Sequence, residues 1–229
     1  MVASSEWPEV DFLRNPDRTL RAGVILMGGE TEVIDVMPID LLHGISKKFL
    51  GDFKEVFGEE NVEHGLDIEF HWVNETGKTA KLTSNIKIEP TDSFDTCPPL
   101  DIVLVGAHNS THHTLTQAEL AYLRKAYEES KAFITVCGGM MPALEAGILA
   151  GKTATAPLML LDHLKQNTGT TWEAKRYVRD GKLWTSGALF NGVDLIRAFV
   201  LHVWGTGEKK KMVEFCLDFG SVPVRSVDY

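Results

Sequence analysis

The chain has 229 residues, 44% hydrophobic and 24% charged, which is enough to bury a core without disulfide staples. Its formal net charge is −9 with no Lys/Arg-rich stripe, which argues against a nucleic-acid partner. The three cysteines, Cys97, Cys137 and Cys216, form no spaced pair, so neither a disulfide framework nor a structural zinc site is expected, and a reducing compartment is.

Residues 1–20 read as an irregular leader carrying Pro8 and Pro16. The stretch is polar and acidic, without the basic start and apolar centre of a signal peptide. No apolar run approaches the ~20 residues that span a bilayer, so a cytoplasmic protein with no membrane partner is expected. One domain is expected over residues 21–205, with an extension over 206–229 packed on it.

Arg21–Gly29 reads as a buried strand closed by two glycines. Val33–Phe49 has helical apolar spacing, with Pro38 near its start. Leu66–Asn74 alternates and is rich in Phe, Trp and Val, a second strand; "KLTSNIKIEP" predicts a short hairpin strand ended by Pro90. Leu100–His108 is a third strand, breaking at Gly106. Leu115–Lys131 is amphipathic, and Thr116 and Glu119 stand at capping-box spacing. "AFITVC" predicts a strand, "MPALEAGILAG" a helix closed by Gly151, and "KTATAP" a short extended piece. Asp180-Gly181 marks a hairpin turn between two strands. Gly192–Gly205 predicts an apolar helix; in the last stretch, "KMVEFCLDF" suits a helix or an edge strand, and the short run Lys209–Lys211 a solvated loop.

Strands that alternate with helices and break at glycines imply a mostly parallel sheet covered on both faces. Ligands bind such sheets outside the C-terminal edge. The first strand delivers Glu30, Glu32 and Asp35 to that edge, the Leu100–His108 strand His108 and Asn109, and the next strand Cys137. Cys137 sits at a sharp turn from strand to helix. There a helix N-terminus favours the thiolate, and the N–H groups of Gly138 and Gly139 suit an oxyanion. The bland alternative is a buried structural cysteine. "HNSTHH" reads either as a polar loop or as a source of a site histidine from His108, His112 or His113. No metal is expected there, since no cysteine or carboxylate completes a ligand set. Trp72, Trp172, Trp184 and Trp204 read as core or interface aromatics rather than a ligand cage. Met140, Met141 and Phe190 suit an apolar lining or ordinary packing.

Four stretches resemble the DJ-1/PfpI superfamily of class I glutamine amidotransferase-like proteins: "AGVILMGGETEVIDVMPIDLL", "FDTCPPLDIVLVGA", "AFITVCGGMMPALEAGILAGKTAT" and "YVRDGKLWTSGALFNGVDLIRAFV". The last is similar to the signature of the branch holding isocyanide hydratases and the sensor halves of some AraC-type regulators. The resemblance implies a flavodoxin-like three-layer α/β/α sandwich, a homodimer, a small-molecule substrate and no cofactor. It also implies Cys137 as nucleophile, with an acid from the region after the first strand. Asp35 matches best, with one residue fewer before Pro38 than hydratase-like members have, and Glu32 is its rival. The chain has Gly106-Ala107-His108 where relatives usually have Pro-Gly-Gly, and Ala156 where many carry histidine. The implied chemistry is attack of the Cys137 thiolate on an electrophilic carbon, with Asp35 or Glu32 as general acid/base and the N–H groups of Ala107 and Gly138 holding negative charge. A redox or ligand sensor, and a glyoxalase- or deglycase-like enzyme acting on 2-oxoaldehydes, are the alternatives.

Overall fold

The protein is described from a computed structural model, which covers residues 7–109, 111, 113–167 and 169–229. Seven strands make the central sheet: β1 Leu20–Ile25, β2 Ile68–Asn74, β3 Asp92–Ser93, β4 Ile102–Val105, β5 Ala132–Thr135, β6 Tyr177–Asp180 and β7 Leu183–Ser186. Their order is β6-β7-β5-β4-β1-β2-β3, with every pairing parallel except β6–β7. That antiparallel pair is the hairpin expected at Asp180-Gly181, and Gly181 takes the positive φ (61°) that the turn requires.

Alternation along the strands feeds two cores. Leu20, Ala22 and Val24 of β1, with Ile102, Leu104 and Ile134, face one layer. Ile25 of β1, with Val103, Val105 and Phe133, faces the other. Helix α5 (Asn191–Trp204) covers the first layer, burying Leu195, Ile196, Phe199, Val200, Val203 and Trp204. Each such side chain contributes roughly 1.5–3 kcal/mol of hydrophobic stabilisation. Helix α6 (Lys210–Phe219) joins that layer through Met212, Val213 and Leu217, so "KMVEFCLDF" is a helix. Lys210 and Lys211 open α6 rather than lying in a loop. The second layer holds α2 (Gln117–Glu129), α3 (Met140–Glu145) and α4 (Leu158–Asn167). The sandwich is therefore the three-layer α/β/α arrangement.

The capping box at Thr116 forms in full, with Thr116 Oγ1 accepting from Glu119 N and Glu119 accepting from Thr116 N. Other expectations need correction. Val33–Phe49 is not one helix. It divides into α1 (Val33–Val36), a 3₁₀ turn at Met37–Ile39 and helical segments Asp40–Gly44 and Lys47–Asp52. Pro38 lacks an N–H and falls in the 3₁₀ turn, while Ser46 is extended and caps the last segment through Phe49 N. The stretch expected as an irregular leader contains a helical turn, Val10–Arg14. Its neighbour Trp7 is buried and donates to Lys131 O, and Leu13 is fully buried beside it. Trp172, Trp184 and Trp204 are buried, and Trp72 packs against the core. No helix among the described residues is long and apolar enough to cross a membrane.

Candidate active site

The chain runs from β1 outward through β2 and β3, then returns to the other side of β1 for β4 and β5. The order therefore switches direction between β1 and β4, where open α/β sheets bind ligands. Three segments meet there: the turn from β1 into α1, the end of β4, and the turn from β5 into α3.

Cys137 occupies the last of these. It is half-buried and has φ of 55°, a left-handed conformation that costs a residue with a Cβ roughly 1–3 kcal/mol. Its own N–H donates to Gly187 O (3.0 Å). Gly139 follows because there is no room for a side chain, since a Cβ would overlap the Val105 carbonyl oxygen. Gly138 is less constrained; its Cβ would stand 3.0 Å from that of Ala107.

Asp35, on α1, has no exposed surface, and its Oδ2 accepts from Ala107 N (3.0 Å). Among the described residues Oδ1 has no hydrogen-bond partner, and the thiol of Cys137 lies near enough to the carboxyl group to favour its charged form. Glu32, at the N-cap of α1, joins them. The sulfur and one carboxylate oxygen from each acid lie within 4.8 Å of one another. Both candidate acids thus reach the thiol, and the buried one is Asp35.

Burial pushes the Asp35 carboxyl up to about 7, with the Ala107 N–H opposing and the Glu32 charge assisting. The thiol departs from expectation. Burial first, then the charge of Asp35, pushes Cys137 up to about 11 against the N–H groups of Leu189 and Gly138, which favour the thiolate. Desolvation of the sulfur and the charges of Asp35 and Glu32 outweigh those two N–H groups.

The expected oxyanion donor at Ala107 is also corrected, because its N–H is already given to Asp35. The N–H groups that favour the thiolate are those of Gly138 and of Leu189, and the sequence reading named no role for Leu189. Leu189 lies in the loop after β7 with φ of 43°. The phrase "TSGALF" marks this loop, but nothing in a leucine announces a left-handed backbone. Gly106 is buried where a Cβ would press on Val36 and on Asp35 Cβ (3.0 Å), so it lets α1 approach β4.

His108 bridges by its backbone to Thr31, and its half-buried ring stands 6.4 Å from that of His113. Burial, then His113, lowers its pKa, and the charges acting on it are those of His113 and Glu119. His113 Nε2 is held by Glu119 Oε2 (2.8 Å). His112 lies outside the described residues. Ala156 and Met140 are fully buried, whereas Met141 and Phe190 are exposed.

A family model described as the DJ-1/PfpI family matches residues 52–202. That span includes Cys137 and Gly106–His108 but not Glu32 or Asp35, so it is the fold that brings the acids to the sulfur. The isonitrile hydratase of Pseudomonas putida is 25% identical over 158 residues, 69% of this chain and 68% of that protein. The deglycase PfpI of Pyrococcus furiosus is 29% identical over 111 residues, 47% of this chain and 64% of that protein. The crystal structure of Drosophila melanogaster DJ-1beta matches with a TM-score of 0.68 at 17% identity, covering 90% of this chain and all of that one (100%), a likeness of fold.

Proposed function

From the premise that the chain belongs to the DJ-1/PfpI family, we propose that it is a cofactor-independent cysteine enzyme that adds water to a small electrophile of the isocyanide class. One observation carries the reading: a half-buried thiol and a fully buried carboxyl group stand within 4.8 Å of each other, where burial pushes that carboxyl up to about 7. The similarity to an isonitrile hydratase supports the substrate class.

Asp35 acts first as the base. Its carboxylate takes the thiol proton as Cys137 Sγ bonds to the terminal isocyanide carbon. The same proton then passes from Asp35 to that carbon, giving a thioimidate, R–N=CH–S–Cys137. Water adds across the C=N bond, its oxygen to this carbon and one proton to nitrogen; the C–S bond then breaks as the hydroxyl proton passes to the departing sulfur. The products are an N-formamide and the free thiol, so no oxidant or cofactor is consumed. Gly138 N–H and Leu189 N–H stabilise charge on the departing sulfur, and Glu32 holds the second acid position. Oxidative sensing needs a ready thiolate, which the raised thiol pKa opposes.

Incubation with an aryl isocyanide is expected to yield the formamide, and Cys137→Ala is expected to lower the rate by at least ~10³-fold. Formamide production that survives Cys137→Ala, or its absence beside turnover of 2-oxoaldehydes, would overturn the assignment. The second result would favour deglycase-like chemistry.

A further inference from the structure

We propose that Arg225 and Tyr229 are positioning residues that hold the loop 187–191 against Cys137 and so set the reactivity of its sulfur. The inference rests on Cys137 being the nucleophile and extends that reading to a segment far from it in sequence.

The loop meets Cys137 at two backbone points. Gly187 O accepts the Cys137 N–H, and the Leu189 N–H favours the thiolate. Leu189 holds a left-handed conformation that persists only where the surroundings over-determine it. Segment 222–229 supplies that constraint. Arg225 grips Asp194, at the start of α5, with two bonds (Nε–Oδ1 2.8 Å, NH2–Oδ2 2.7 Å) and also donates to Phe190 O (3.0 Å). Asp194 is only 4% exposed, so its charge requires such a partner, and the planar fork fixes direction as well as energy. Asn191 Nδ2 donates to Asp194 Oδ2, and Tyr229 OH donates to Asn191 Oδ1 (2.9 Å). The Tyr229 hydroxyl also fills the space that a side chain on Gly187 would take. Arg176 fastens the segment from the other side. Its guanidinium lies 4.8 Å from the Tyr229 ring centroid, and its Nε and N donate to Ser226 O and Val227 O. Both ends of the loop, Gly187 and Phe190–Asn191, are therefore pinned by two side chains of this segment. Tyr229 is also close enough to Cys137 for the sulfur's charge to act on its phenol, whose pKa burial raises first.

The test is alkylation of Cys137 by iodoacetamide, resolved by peptide mass spectrometry between about pH 7 and pH 12. Tyr229→Phe keeps the ring on Arg176 and is expected to fold with Tm within about 2 °C of wild type. Its Cys137 alkylation is expected to slow about threefold at fixed pH, with the profile moved to higher pH. Arg225→Met is expected to slow it about tenfold, and Arg225→Lys, which keeps the charge without the fork, to recover part of the loss. Cys97 and Cys216 serve as internal controls and should not change. The proposal is overturned if the Cys137 profile in Tyr229→Phe coincides with wild type, or if all three cysteines change together, which reports general loosening. Failure of isocyanide turnover would strike the substrate reading and leave this profile untouched.

Discussion

Asp35→Asn is expected to slow turnover by roughly 10²–10⁴-fold and, in the same protein, to raise the melting temperature at alkaline pH. The two effects share a cause. The Asp35 carboxyl is pushed from an unfolded value of 3.8 to about 7, chiefly because it is buried. The folded state therefore holds its proton more tightly than the unfolded state. The stability that this group contributes is fully present below about pH 4 and is lost as pH rises through 7, where a charge must be kept in a desolvated place. Three pKa units correspond to a few kcal/mol, about 1.4 each. Asparagine can still accept from Ala107 N–H but carries no charge. At pH about 8 the variant should melt roughly 8–16 °C higher, and near pH 4 the difference should vanish. Activity runs the opposite way. The wild-type rate should rise as pH passes through 7, because only the deprotonated carboxyl can take the thiol proton. Calorimetry at the two pH values, beside a pH–rate profile, checks both limbs.

Gly139→Ala is expected to destabilise the fold by roughly 3 kcal/mol, a fall in Tm on the order of 6–12 °C, and to abolish turnover. The residue has φ of −61°, so freedom of the backbone is not what it supplies. It supplies space. A Cβ would strike the carbonyl of Val105, and the backbone of Gly106 stands immediately behind. The turn after β5 would have to lift off β4, carrying Cys137 away from Asp35. Gly138→Ala is the contrasting case, since its Cβ meets only the methyl of Ala107 at 3.0 Å, and a shift of a few tenths of an ångström relieves it. A thermal melt of both variants should separate them clearly.

The parts of this architecture governed by local chemistry were legible in the sequence. Glycines closing β-branched runs located β1, β4 and β5; Thr116 and Glu119 located the start of α2; Asp180-Gly181 located the β6–β7 turn. Cys137 could be singled out for the same reason, as a thiol at a strand-to-helix break. What escaped depends on contacts between distant segments. Leu158–Asn167 received no element, because its apolar residues make sense only against the second core, where Leu161 and Leu164 are buried. The Val33–Phe49 helix was overextended because periodicity registers the buried face and not the breaks at Pro38 and Ser46. The thiol pKa was expected to fall because a motif shows the helix after Cys137, whereas burial and the charge of Asp35 are set by three segments together. The grip of Arg225 on Asp194 spans 31 positions and leaves no local trace.

The central claim is that Cys137 rests as a thiol and is activated by proton transfer to Asp35. Ultraviolet thiolate absorbance against pH, wild type minus Cys137→Ala, measures this directly. The account predicts ionisation of Cys137 centred near 11, moving lower in Asp35→Asn as the opposing charge is removed. A midpoint below the ordinary thiol value of ~8.5, unmoved by Asp35→Asn, would contradict it.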